Sequence, residues 1–249
     1  MTTALEFKVI EADVRRVWTA LRFVDGMTGR AIERALKVTL PGAQTLMNRA
    51  GLVVITQVDE PKVSRKDFAA VEAAFDPIPA SPALTLVGTV SDPERAFLPR
   101  SFSVDLPRPS GADQFTPVSI ALDPTPATPV LGTWAVLRIS VRNAGKPAAQ
   151  AALRVRRASG GAVIGRGLTD ARGEALVAVV GVAQVTPGIG ELVVETEIDA
   201  TVNVHFDPDA PADVPLDTDA LAADNTVLRK LVNQKIASGR TDMLVIDLP

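Results

Sequence analysis

Residues 191–206 read ELVVETEIDATVNVHF, and their alternation decides the fold class. Val194, Thr196, Ile198, Ala200, Val202, Val204 and Phe206 fall in one phase. Glu195, Glu197, Asp199, Thr201, Asn203 and His205 fall in the other. Successive strand side chains point to opposite faces, so this spacing predicts a half-buried strand. The same period sets Leu36, Val38 and Leu40 inward against Lys37 and Thr39, and Phe102, Val104 and Leu106 inward against Ser103 and Asp105. It also sets Leu137, Ile139 and Val141 against Arg138, Ser140 and Arg142.

Turn chemistry separates these runs. The 19 prolines and 17 glycines cut the chain into the short segments expected of an all-β protein. Residues 153–168 read as a hairpin around Ala-Ser-Gly-Gly, where glycine supplies the positive φ that a tight turn requires. Asp170 opens a second turn closed by Gly173, and Asp25 with Gly29 and Asn48 with Gly51 open similar ones.

These turns belong to an internal repeat. Trp18, Leu21, Arg22, a glycine turn and residues 35–38 (ALKV) parallel Trp134, Leu137, Arg138, a glycine turn and residues 152–155 (ALRV). A strand then follows residues 48–51 (NRAG) in one copy and 170–173 (DARG) in the other. The pattern predicts two tandem antiparallel β-sandwich domains. Their expected limits are 1–122 and 131–249, joined by the proline-rich connector 123–130, with three prolines in 123–129 (DPTPATP).

Two segments fit more than one element. In residues 64–75, Ser64 and Asp67 suit a capping box with Phe68, Val71 and Phe75 inward, but a bent strand also fits. After a second proline-rich stretch, 207–219 (DPDAPADVPLDTD), the residues Val227, Leu228, Leu231, Val232 and Ile236 suit one helix face. Residues 243–248 then read as a closing strand.

Composition bounds the chemistry. A chain of 249 residues with 47% apolar content and net charge −3 matches neither a disordered nor a nucleic-acid-binding protein. No stretch is suited to span a bilayer, and the first residues lack a basic start followed by an apolar core. No membrane insertion and a cytoplasmic location are therefore expected. Cysteine and tyrosine are absent and there is a single histidine, a poor inventory for acid–base or thiol catalysis.

Each candidate site has a plain alternative. His205 lies on the polar face of its strand and reads as solvent-facing, with no nucleophile motif to partner it. Asp207, Asp209, Asp213 and Asp217, followed by Asp219 and Asp224, form a weak calcium candidate. Interleaved Pro208, Pro211 and Pro215 favour a solvated acidic linker instead. Residues 159–167 (SGGAVIGRG) lack the Gly-Lys-Ser/Thr ending of a phosphate loop, so no cofactor is expected. Arg154, Arg156, Arg166 and Arg172, with Arg157, suit a basic face for an acidic protein partner. Trp18 and Trp134 sit at matching repeat positions, as core or inter-sheet packing residues.

Residues 136–142 (VLRISVR), 145–149 (GKPAA), 152–155 (ALRV) and 167–175 (GLTDARGEA) resemble a carboxypeptidase-regulatory-like, transthyretin-like sandwich domain. Residues 90–99 (VSDPERAFLP) and 102–107 (FSVDLP) resemble a stretch of bacterial two-domain proteins encoded with phage-tail-like, contractile-injection gene sets. That resemblance implies a non-catalytic structural or accessory part of such a particle, bound to other particle proteins or to itself. The alternative is a stand-alone ligand- or carbohydrate-binding, adhesin-like module.

Overall fold

The computed structural model describes residues 17–58, 84–106, 108, 116–158, 161–182 and 197–249. The ambiguous segment 64–75 lies outside the described residues, as do Val194, Thr196 and the hairpin tip at 159–160.

The protein is built of β-sandwiches. The first contains β1 (Thr19–Asp25), β2 (Lys37–Thr39), β3 (Ala43–Met47), β4 (Val53–Val58), β5 (Leu84–Ser91), β6 (Arg100–Leu106) and β7 (Val118–Leu122). Its two sheets run β3-β4-β1-β7 and β2-β5-β6. The second contains β8 (Ala135–Asn143), β9 (Lys146–Pro147), β10 (Ala152–Arg157), β11 (Val163–Leu168), β12 (Glu174–Val179) and β13 (Glu197–Phe206). A short helix, α1 (Thr218–Ala223), precedes β14 (Leu228–Ala237) and β15 (Thr241–Leu248). The sheets here run β12-β8-β15 and β11-β10-β13-β14, with β9 paired to β8.

Each sandwich encloses its own apolar cluster, because alternate residues of two facing sheets turn inward. Leu21, Phe23, Ile55, Phe102, Val104 and Leu122 fill the first, where the Phe23 and Phe102 rings meet edge to face at 5.8 Å. Leu137, Ile139, Val155, Val177, Val202 and Ile236 fill the second.

The repeated sequence is a repeated path. β1 and β8 open the two units, and each takes the strand after the Asn48 or Asp170 turn as an antiparallel neighbour. In both units the closing strand runs parallel to the opening one, β7 beside β1 and β15 beside β8. The other ladders among the described residues are antiparallel. One strand changes partner between the copies: β3 pairs with β4, whereas its counterpart β11 pairs with β10.

The turns form as their residues dictate. Asp25 accepts the N–H of Met27 at 2.8 Å, Asn48 accepts from Ala50 and Leu52, and Asp170 accepts from Arg172 and Glu174. Gly173 takes φ of 73°, where a Cβ would come within 2.5 Å of the Val141 carbonyl oxygen.

Residues 228–237 belong to the second segment that the sequence leaves open between helix and strand. They form β14, not a helix, and pair with β13 from Phe206↔Leu228 to Glu197↔Ala237. Leu228, Val232 and Ile236 are four residues apart, a spacing that satisfies both the helical and the strand period. Leu231 breaks the tie: a helix would bury it, and the strand leaves it 69% exposed.

Candidate functional site

The polar chemistry concentrates along the seam between the sandwiches. Arg100 opens β6 in the inward phase of Phe102 and Val104 and is almost fully buried. Its Nη1 donates to the Ala121 carbonyl at 2.7 Å, and its Nη2 to Asp217 Oδ1 at 2.8 Å and Asp219 Oδ2 at 3.0 Å. From the second sandwich, Arg154 donates to the Thr218 carbonyl at 2.8 Å and to Asp219 Oδ1 at 2.9 Å. Arg166, its cross-strand partner, donates to Asp123 Oδ1 at 2.9 Å and to Thr218 Oγ1 at 3.0 Å.

Three guanidiniums thus meet three carboxylates, and the charge balances. Buried ions lose hydration, so such a cluster persists only when its members are paired and hydrogen-bonded. For Asp219, burial pushes its pKa upward, but Arg166, Arg100 and Arg154 outweigh this and hold it below the ordinary carboxylate range. For Arg166, the same opposition ends with its pKa raised, Asp123 and Asp219 overriding burial.

Helix α1 is the element that brings these groups together. Asp217 caps it, with Oδ1 accepting the N–H of Asp219 and Ala220. The preceding loop is held by Gln150, whose Nε2 reaches the carbonyls of Ala212 and Val214 and whose Oε1 accepts the Leu216 N–H. Ser101 donates its N–H to the Leu216 carbonyl at 3.0 Å, tying the first sandwich to the same loop.

The connector is fastened as well. Leu98 donates to the Asp123 carbonyl and Thr125 to the Ala96 carbonyl, while Phe97 bridges Pro124. Arg138 donates to the Pro126 carbonyl at 2.8 Å. The 92–97 loop is organised by buried Asp92, which accepts the N–H groups of Glu94, Ala96 and Phe97 and pairs with Arg34. The Arg34 guanidinium also lies 5.2 Å from the Phe97 ring centroid.

The candidate residues divide. Arg154 and Arg166 are turned into the seam and spent on Asp219 and Asp123, so they are not an open docking face. The cause is α1, which covers the sheet where alternation alone leaves it bare. Arg172 sits apart on an exposed turn, paired with Asp170 and Glu174. The 207–219 stretch is not uniformly solvated: Asp207 forms a local turn to Asp209, Asp213 lies in an exposed turn, and Asp217 belongs to the seam. Among the described residues, no group of three or more potential ligands is placed to hold a metal ion.

His205 is buried at 9% exposure rather than solvent-facing, lining a cleft of about 520 Å³ with Arg154, Arg156, Asn203, Asp219 and Arg229. Burial, then the nearby Arg229, Arg154 and Arg156, hold its pKa below the ordinary imidazole value. Trp18 is half-buried against the first core, and Trp134 is half-buried at the start of β8. No helix among the described residues is long and apolar enough to cross a membrane.

No protein-family model and no curated protein matches the chain. Among solved structures, the Bacillus anthracis TIE protein aligns with 92% of this chain at 11% identity and a TM-score of 0.25. The chain spans 33% of that protein, and so weak a superposition assigns neither fold nor role.

Proposed function

We propose that the protein is a non-catalytic structural or accessory component of a larger protein assembly, docking its partners by strand addition along β15. The carrying observation is the edge itself. β15 ends the sheet β12-β8-β15, and among the described residues its far side pairs with no strand. On its outer face Met243 and Val245 are 81% and 66% exposed. An open strand edge offers unpaired backbone donors and acceptors, and exposed apolar side chains beside it add area for a partner's strand. The fastened seam fits this role, since a rigid two-sandwich body holds a docking edge at a fixed angle.

The assembly we favour is phage-tail-like and contractile. Its support is the resemblance of residues 90–99 and 102–107, the first of which forms the Asp92 loop that grips the connector. On this reading the protein acts in the cytoplasm and in a released particle.

Size-exclusion with light scattering and pull-down from the native host tests it. Self-association or co-purifying particle proteins are expected, and both should be lost in the Met243→Lys/Val245→Lys double variant. A monomer without partners, or undiminished capture by that variant, overturns the reading.

A further inference from the structure

The cleft beside His205 is lined by no residue of β15 and has a chemistry of its own. Its floor is the outer face of β10, β13 and β14, where Arg154, Asn203 and Leu231 stand in one row and His205 faces Arg229 in the next. Helix α1 walls one side with Asp219, Ala222 and Ala223. The volume, about 520 Å³, suits a small molecule or a few side chains of a bound segment.

The charge on this cleft opposes that of the protein, whose net charge is −3. Asp219 is the one acid of the lining, and its oxygens are already taken by Arg100, Arg154 and Arg166. Arg156, Arg229 and Lys230 form no ion pair with a carboxylate among the described residues, and Arg229 feels the Asp224 carboxylate only through space. Arg156 donates to the Gly161 carbonyl at 3.3 Å, and Arg229 donates to the Asp224 carbonyl. Lys230 also lines the cleft but turns its ammonium to the Asp247 carbonyl. Each guanidinium retains further N–H donors in a planar fork suited to carboxylate or phosphate. His205 Nδ1 is buried with no hydrogen-bond partner among the described residues, a polar atom that its surroundings leave unsatisfied.

We propose that this cleft binds a multivalent oxyanion, held between Arg156 and Arg229 against the His205–Asn203 floor. Phosphate and carboxylate groups share that chemistry, whether on a small free molecule or on acidic side chains of a peptide. The site is independent of strand docking at β15 and does not require it.

The test uses the protein's single histidine as its own reporter. The imidazole resonances of the full chain are followed by NMR during titration with pyrophosphate, citrate or a hexa-aspartate peptide. Saturable movement with at least one of them is expected. Pyrophosphate or citrate identifies a small-molecule site, and the peptide alone identifies an acidic segment. In the Arg156→Ala/Arg229→Ala variant affinity should fall about tenfold or more, since charge-assisted hydrogen bonds are lost. Among the described residues both side chains hydrogen-bond only to backbone carbonyls, so the variant should keep the fold, checked by its circular dichroism. Arg172→Ala, outside the cleft, should change affinity less than about twofold, as an exposed ion pair does. Resonances unmoved by all three anions overturn the site. So does an equal loss in Arg172→Ala, or undiminished binding in the double variant.

Discussion

Arg166 Nε on β11 lies 2.9 Å from Asp123 Oδ1, so the first residue of the connector is clamped by a strand of the second sandwich. The Asp123 side chain is fully buried, and its nearest cation is this one.

Removing that charge leaves Arg166 with Thr218 and the half-exposed Asp219. Breaking a buried pair from one side costs about 3–5 kcal/mol, and the remaining partners reduce this to ~2–4 kcal/mol for Asp123→Asn. Urea unfolding followed by tryptophan fluorescence measures it. A loss below ~0.5 kcal/mol would mean the clamp adds nothing to stability.

Close approach at the seam also makes Gly26 sensitive. A Cβ there would meet the Leu122 carbonyl oxygen at 2.6 Å and Arg166 Cδ at 3.0 Å. Gly26 donates its own N–H to that same carbonyl, so the backbone cannot move aside without losing the bond. Gly26→Ala should destabilise by about 1–3 kcal/mol, as overpacking does. Gly132→Ala meets nothing within 4 Å and should stay within ~0.5 kcal/mol of the parent. Equal melting of the two variants would contradict this placement.

Much of the sandwich architecture was legible because it rests on local rules. Alternation located β6, β8 and the described part of β13, and the matched tryptophans and turns located the repeat. The partner change of β3 and β11 left no mark, since edge pairing depends on neighbours distant in sequence. The seam was half legible. Arg100 shares the phase of Phe102, Val104 and Leu106, and a charge in an apolar phase announces a buried partner. What it could not announce is which carboxylate: Asp217 and Asp219 arrive from more than a hundred residues away. The burial of His205 was hidden for the same reason, because α1 and the side chains of β10 and β14 come from other parts of the chain.

Proline-rich connectors often invite proteases, but this one should resist them. Asp123 is buried, and residues 123–128 exchange hydrogen bonds with the 96–98 loop. Cleavage requires local opening, which those bonds oppose. Brief digestion of the native protein should leave 123–129 intact, and Asp123→Asn should make the segment susceptible. Mass spectrometry of the fragments decides it, and early cleavage of the parent at 123–129 would refute the fastening.

Acid stability should carry the signature of His205. Burial is the first cause opposing its protonation, Arg229 from β14 and Arg154 and Arg156 from β10 add to it, and Asp219 stands at the helix wall. The folded pKa of His205 is therefore below the unfolded value of about 6.5. As pH falls through 6.5 the unfolded chain binds a proton first, so stability declines from there until the folded-state value is passed. Asp219 works in the same direction at lower pH: its folded pKa is depressed, so its contribution is present above the ordinary carboxylate range and lost on acidification below it. The two windows separate the groups. His205→Gln should flatten the decline that sets in as pH falls through about 6.5 while keeping the steeper loss below about pH 4, and Asp219→Asn should do the reverse. Urea midpoints measured across that range give both slopes. Retention of the full decline near pH 6 in His205→Gln would show that the imidazole does not meet this cationic field.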